Sequence, residues 1–183
     1  GWFARLRASL SAPEPIGGLY LWGGVGRGKT FLVDLFFAGL PLEAKRRVHF
    51  HRFMREVHAE LRTLKGHEDP LVDVAARIAA STRVLCLDEF FVSDIGDAMI
   101  LGGLLKHLFS RDVVLVTTSN TAPVNLYREG LQRERFLPAI ALLQQHCHIV
   151  EMASAQDWRL RALRQARTFH TPAGSEAEHS LAQ

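Results

Sequence analysis

Cysteine is scarce in this chain of 183 residues, and long uninterrupted runs of apolar side chains are missing. The two cysteines, Cys86 and Cys147, lie far apart in apolar segments and form no C-x-x-C pair. This pattern indicates buried thiols in a reducing compartment rather than a disulfide framework. The apolar stretch at residues 98–109 is interrupted by Lys106 and His107, so the sequence predicts no transmembrane segment.

A strong excess of charge is also absent, because 22 Lys and Arg residues are set against 19 Asp and Glu residues, for a formal net charge of +3. So small a surplus does not require nucleic acid as a partner. No secretory signal peptide is evident. The chain starts at Gly1 rather than Met and residues 171–183 are polar, so we expect both ends to be cuts in a longer protein.

The clearest motif is the octet at residues 23–30, which fits the phosphate-binding pattern G-x-x-x-x-G-K-[ST]. Its glycines allow backbone N–H groups to surround phosphate oxygens, Lys29 adds positive charge near the β- and γ-phosphates, and Thr30 offers a hydroxyl to Mg²⁺. The octet therefore predicts that the chain binds a nucleoside triphosphate. The residues predicted to surround the nucleotide are Gly23, Gly24, Val25, Gly26, Arg27, Gly28, Lys29, Thr30 and Phe31.

Apolar patterns of strand and helix type alternate along the chain. This order predicts a parallel sheet with right-handed crossovers in a three-layer α/β domain of the P-loop NTPase type. We expect a linker over residues 1–17, the core over residues 18–153 and a basic helix within residues 154–183. Strands are predicted at residues 19–22, 47–53, 84–87, 113–116 and 148–152, and helices at residues 30–38, 54–64, 72–80, 93–109, 123–131, 136–145 and 157–167.

Two carboxylates follow the third predicted strand, where an acid would lie beside the phosphate loop. Asp88 is predicted to hold Mg²⁺ through water together with Thr30, and Glu89 to orient and deprotonate the water that attacks the γ-phosphoryl group. An apolar run that ends in Asp-Glu is by itself also typical of a solvated acidic turn. Downstream of a phosphate loop the metal interpretation is favoured, and the second acid argues against a kinase.

Small polar residues follow the fourth predicted strand. Asn120 is the first candidate to contact the γ-phosphate and the attacking water. Ser119 or Thr118 could serve instead, and a simple Ser-Asn turn is the structural alternative. No Asn-Lys-x-Asp motif follows any predicted strand, which favours ATP over GTP.

Arginines further along the chain are candidates for a charge supplied to a neighbouring subunit's phosphoryl group. Arg135 is the first choice and Arg133 the second, with a solvated or ion-paired helix residue as the alternative for each.

Two histidine pairs, at positions 49 and 51 and at positions 146 and 148, lack further ligands in the sequence, so no zinc site is predicted. The Arg-rich stretch at residues 45–62 could be interpreted as a nucleic-acid surface, but its apolar residues fit strand and helix core better.

Together these segments resemble the ZapE cell-division ATPases of bacteria and the related Afg-type ATPases of mitochondria. The resemblance runs from about residue 18 to residue 164, and its most specific strings lie at residues 88–95 and 126–133. It implies an AAA+ ATPase core, with ATP and Mg²⁺ as cofactors and a five-stranded parallel sheet in the order 5-1-4-3-2.

By the same resemblance, Lys29 and Thr30 correspond to phosphate and Mg²⁺ ligands, Asp88 and Glu89 to the metal and water residues, and Asn120 to the sensor. All five positions match the family's pattern.

For the bacterial members the resemblance further implies self-association through an arginine in trans and an ATP-dependent role on polymers of FtsZ or another division protein. The implied location is cytoplasmic, loosely peripheral at the inner membrane or division septum, and mitochondrial for a eukaryotic relative. Family members continue into a helical lid with a further arginine. We expect residues 154–183 to hold only its beginning, with Arg159 and Arg161 either near the nucleotide or on a solvated helix face, and therefore expect weak hydrolysis.

Two alternatives remain open. One is a nucleic-acid-associated AAA+ ATPase of the helicase-loader type, which shares these motifs. The other is a nucleotide-gated binding module with little turnover.

Overall fold

Five parallel strands and five helices make up the computed structural model, which describes residues 16–153. The strands are β1 (Gly18–Trp22), β2 (Lys45–His49), β3 (Val84–Asp88), β4 (Val114–Ser119) and β5 (Cys147–Glu151). The helices are α1 (Lys29–Gly39), α2 (Phe50–Thr63), α3 (Pro70–Ser81), α4 (Ile95–Phe109) and α5 (Leu137–His146), with 3₁₀ turns at Pro123–Asn125 and Arg133–Arg135.

The strands form one sheet in the order β2-β3-β4-β1-β5, with every neighbouring pair parallel. This confirms the predicted α/β fold and the order 5-1-4-3-2. The carboxyl ends of all five strands lie at the edge of the sheet where α1 starts, because parallel strands all finish at the same edge. The loops after β1, β3 and β4 therefore meet at that edge.

Helices cover both faces of the sheet, and alternate residues of each strand point to opposite faces. Leu85 and Leu87 join the larger core, to which α2 to α5 contribute. Val84 and Cys86 join a smaller core with Val33 of α1 on the other face. All five residues of β3 are buried, as the uninterrupted apolar run predicts for a strand covered on both sides.

Two predicted elements are wrong. The second strand ends at His49 instead of residue 53, and α2 starts at Phe50. Phe50, Phe53, Met54 and Val57 are all buried at helical spacing, and this periodicity outweighs the short polar-apolar alternation.

The helix predicted at residues 123–131 is reduced to the 3₁₀ turn at Pro123–Asn125. Tyr127 takes a left-handed backbone with a φ of 52°, which breaks any continuation of the turn into a helix. Its hydroxyl donates to the Leu131 carbonyl at 3.0 Å and closes a local loop.

The helix predicted at residues 157–167 lies outside the described residues. Within residues 16–153, no helix is both long and apolar enough to cross a membrane.

Both cysteines are buried, and we expect them to be nearly inert in the native chain. Burial raises the pKa of the Cys86 thiol to about 11 and that of Cys147 to about 12. Because the thiolate is the reactive form, labelling by Ellman's reagent at pH 8 should be at least ~100-fold slower than in the unfolded chain. Labelling should accelerate as the pH rises towards these values. Rapid native labelling of either thiol at pH 8 would contradict the described burial.

Candidate functional site

A cavity of about 660 Å³ lies at the carboxyl edge of the sheet, between the loop after β1 and the ends of β3 and β4. It brings together most of the predicted site residues, although they are distant in sequence. Those that line it are Val25, Gly26, Arg27, Gly28, Lys29, Thr30, Phe31, Glu89 and Asn120, with the two alternatives Thr118 and Ser119.

The loop before α1 is shaped by glycines in a conformation that other residues rarely adopt. Gly23, Gly26 and Gly28 have φ values of 147°, 77° and 80°. Gly28 also caps α1 without any side-chain hydrogen bond, and the first turn of that helix holds no acidic residue. The N–H groups and positive dipole end of α1 are thus left available to an anion in the cavity.

Lys29 is buried, and its ammonium group links this loop to the end of β4. Its Nζ donates to the carbonyl oxygens of Gly23 at 2.5 Å and Gly24 at 2.8 Å, and to Asn120 Oδ1 at 3.0 Å. The Asn120 carboxamide, directly after β4, therefore contacts Lys29. Gly23 and Gly24 contribute to the site through these carbonyls and do not line the main cavity.

Arg27, which lines the cavity, carries a guanidinium nitrogen that has no hydrogen-bond partner in the described part of the chain. Arg27 Nη1 is shielded from solvent without a hydrogen bond to any residue among 16–153. A buried donor of this kind favours an anionic acceptor, since leaving it unpaired costs free energy.

The ends of β3 and β4 are tied together by side-chain and backbone hydrogen bonds. The Glu89 N–H donates to Thr118 Oγ1 at 3.1 Å, and the Phe90 N–H donates to the Thr118 carbonyl at 2.7 Å. In return, Ser119 Oγ donates to the Phe90 carbonyl at 2.7 Å. The two hydroxyls thus hold the strand ends together, and Glu89, with a φ of 57°, is kept in the left-handed region beside the cavity.

Asp88 is buried but does not line the main cavity. It lines a neighbouring cavity of about 360 Å³ and forms an ion pair with Arg47 of β2, in which Arg47 Nε lies 2.7 Å from Asp88 Oδ2. Burial lowers the pKa of the Arg47 guanidinium, but its hydrogen bonds to Asp88 and Asp34 outweigh this effect and leave the pKa raised. Sequence reasoning missed Arg47, although a charged residue at an alternate position on the strand beside β3 is a signal that could have found it.

Comparison with known protein families identifies the family of this chain. The model of the AFG1-like ATPase family matches residues 3–183. The chain belongs to the AFG1-like ATPase family. The resemblance identified from the sequence is thereby confirmed.

Relatives of this AFG1-like chain come from bacteria and eukaryotes. It is 58% identical over 167 residues to the cell division protein ZapE of Escherichia coli strain K12, covering 91% of this chain and 44% of ZapE. It is 41% identical over 183 residues to lactation elevated protein 1 homolog B of Danio rerio, covering 93% of this chain and 36% of that protein. The chain therefore spans less than half the length of these relatives.

A solved structure with the same fold is that of DnaI. It superposes with a TM-score of 0.58 at 19% identity, covering 84% of this chain and 79% of DnaI. At this identity the likeness shows the fold alone.

The two candidate arginines of the AFG1-like chain lie apart from the cavity, in the 3₁₀ turn at Arg133–Arg135. Arg133 Nη2 donates to the Val124 carbonyl at 2.8 Å, and the exposed Arg135 contacts Gln132 Oε1 at 3.1 Å. Neither arginine lines this cavity. Arg159 and Arg161 lie outside the described residues.

The two members of each histidine pair lie in different elements of the fold. His49 ends β2 and His51 lies in α2, so they do not share a strand face, although their rings stack with centroids 6.0 Å apart. Among the residues that the structure describes, no group of three His, Cys, Asp or Glu side chains is arranged to hold a metal ion.

Proposed function

We propose that this chain is the Mg²⁺-dependent, ATP-binding and ATP-hydrolysing core of a larger ZapE-like protein. The observation that carries the proposal is the single cavity shared by Lys29, Glu89 and Asn120 at the start of α1. Lysine, carboxylate and carboxamide supply the three functions that γ-phosphoryl transfer to water needs, namely charge, water orientation and phosphate sensing.

The phosphates would be held by the N–H groups of the glycine loop, by the start of α1 and by the guanidinium group of Arg27. Lys29 already lies against the loop carbonyls and would contact the β- and γ-phosphates. The exposed side chains of Val25 and Phe31, which line the same cavity, offer apolar surface to the adenine base.

Mg²⁺ suits the oxygen donors near the loop, since hydroxyl and carboxylate groups are the ligands it prefers. Thr30 faces the cavity and would bind the ion directly, with Asp88 acting through water. When bound, the ion would neutralise charge on the β- and γ-phosphates. Glu89 would orient the attacking water and accept its proton.

Completion of the site requires a second subunit in this proposal, because Arg135 is exposed and lies outside its own subunit's cavity. We propose that Arg135, or else Arg133, reaches the γ-phosphate bound by a neighbour. The test is a mixing experiment with two inactive variants, Arg135→Ala and Glu89→Gln, each of which lacks a different half of the composite site.

We expect Arg135→Ala to lower turnover by about 10³-fold and the mixture of the two variants to recover part of the parent activity. Recovery follows because a Glu89→Gln subunit donates its intact Arg135 to the complete cavity of its neighbour. Arg128→Ala is the matched control, since Arg128 is also exposed in the same segment and should leave turnover unchanged. A different result would assign the role to Arg133. In that case mixing Arg135→Ala with Glu89→Gln restores no turnover, whereas Arg133→Ala is inactive alone and recovers turnover when mixed with Glu89→Gln. If neither arginine pairs in trans, the composite site is wrong.

As part of this proposal, the whole protein acts in the cytoplasm, peripherally at the inner membrane or division septum, on FtsZ or another division protein. The support is the 58% identity to ZapE, a cell division protein. Turnover should rise when FtsZ polymers are added and stay constant with single-stranded DNA at low salt. Stimulation by DNA that weakens as salt is raised, without any response to FtsZ, would favour the helicase-loader alternative.

A further inference from the structure

Arg47 joins two carboxylates that belong to different elements of the candidate metal site. One edge of its guanidinium contacts both oxygens of Asp88, with Nε 2.7 Å from Oδ2 and Nη2 3.3 Å from Oδ1. Its Nη1 contacts Asp34 Oδ1. Arg47 is thus the cation between a carboxylate at the end of β3 and a carboxylate on α1.

The two carboxylates lie next to the residues proposed to bind Mg²⁺ and water. Asp34 comes four residues after Thr30 on α1, and therefore one helical turn further along the same face. Asp88 immediately precedes Glu89. Through Arg47, strand β2 connects the helix that carries Thr30 to the strand that carries Asp88.

The Asp88 side of this bridge is the one shielded from water. The side chains of Arg47 and Asp88 are 20% and 10% exposed, whereas that of Asp34 is 56% exposed. A side-on contact to both carboxylate oxygens restricts rotation of the carboxylate and specifies its plane more tightly than a single hydrogen bond would. Such outer-shell partners of metal-ligating carboxylates commonly set metal affinity.

We propose that Arg47 is a positioning residue for the Mg²⁺–nucleotide site. It fixes the plane of the Asp88 carboxylate and, through Asp34, the separation of α1 from the end of β3. This proposal rests on the proposed function, since it assumes that Asp88 and Thr30 serve the metal. It assigns Arg47 no contact with the nucleotide.

The test compares nucleotide affinity with and without the metal in Arg47→Gln. Calorimetric titration of the chain with the β,γ-imido analogue of ATP, once with Mg²⁺ and once with EDTA, gives the affinity ratio due to the metal. We expect Arg47→Gln to lower this ratio by about 10-fold or more and to leave the affinity in EDTA within about twofold of the parent. A merely structural role would lower both affinities together.

Arg46→Gln is the matched control, because Arg46 is the preceding residue of β2 and pairs with Glu56 of α2 instead of with Asp88. It should leave the ratio unchanged. Arg47→Lys keeps the charge but loses the side-on contact, so we expect it to restore only part of the ratio. Asp34→Asn removes one arm of the bridge and should lower the ratio by a smaller factor than Arg47→Gln.

Each contrary outcome has a distinct meaning. A higher ratio in Arg47→Gln would make Arg47 a competitor of the metal and overturn the proposal, as would an equal loss of affinity in Mg²⁺ and EDTA. If Arg47→Gln does not fold, unchanged ratios in Arg47→Lys and Asp34→Asn overturn it instead. If the parent chain binds no nucleotide, or binds it without regard to Mg²⁺, the proposed function fails before Arg47 is tested.

Discussion

Replacing Glu89 with Gln should lower ATP turnover by about 10²–10⁴-fold while leaving ATP affinity nearly unchanged. The amide has the same shape as the carboxylate but cannot accept the proton of the attacking water. The left-handed backbone of Glu89 and its N–H bond to Thr118 do not depend on the side-chain charge, so the substitution should leave the strand end in place.

Steady-state turnover and equilibrium nucleotide binding, measured on the same preparation, separate these two effects. Glu134→Gln is the matched control, because Glu134 is an exposed acid outside the cavity and its loss should change neither quantity. A parent chain that binds ATP without turnover, and that the Glu89 substitution does not alter, would support the nucleotide-gated binding module instead.

Replacing Lys29 with Ala should weaken nucleotide binding by about 10²-fold or more, because one or more hydrogen bonds from a charged donor to phosphate are lost. The change also removes the hydrogen bonds from Nζ to Gly23, Gly24 and Asn120. We therefore expect a lower free energy of unfolding even without nucleotide.

The control for this loss of stability is Lys45→Ala, at the start of β2, because the Lys45 side chain reaches the other end of α1. Lys45 Nζ donates to the carbonyls of Phe37 at 2.6 Å and Leu40 at 2.8 Å, where α1 ends. Its removal should lower stability but leave nucleotide affinity intact. Equal losses of affinity in the two variants would mean that Lys29 acts through the fold and not on the phosphates.

The conformation of the glycine loop before α1 was predictable from the sequence because its signal is local. Gly23, Gly28 and Lys29 lie within a single octet, and backbone conformation and charge follow from residue type alone. The cavity was predictable too, because Glu89 and Asn120 each follow an apolar strand. The carboxyl ends of parallel strands lie at the same edge of a sheet, where such cavities form. The order of those strands came from the family resemblance.

The features that the sequence failed to predict depend on contacts between distant segments. Seven residues, 47–53, can be interpreted as an alternating strand, and only burial against the rest of the core shows that Phe50 begins a helix. The left-handed turn at Tyr127 closes through its own hydroxyl, which no propensity anticipates. Arg47 was missed for the same reason, since its partners Asp34 and Asp88 lie on other elements.

The sheet order has a consequence for how the chain is made. Strand β1, which leads directly into the nucleotide loop, has no neighbour close in sequence, because Leu19 pairs with Val116 on one side and with His148 on the other. As the chain leaves the ribosome, β2 and β3 are complete long before β1 has either of its partners. The loop cannot take its final position until β4 has emerged, so under the proposed function ATP would stabilise this fold only after the strands on both sides of β1 have been made.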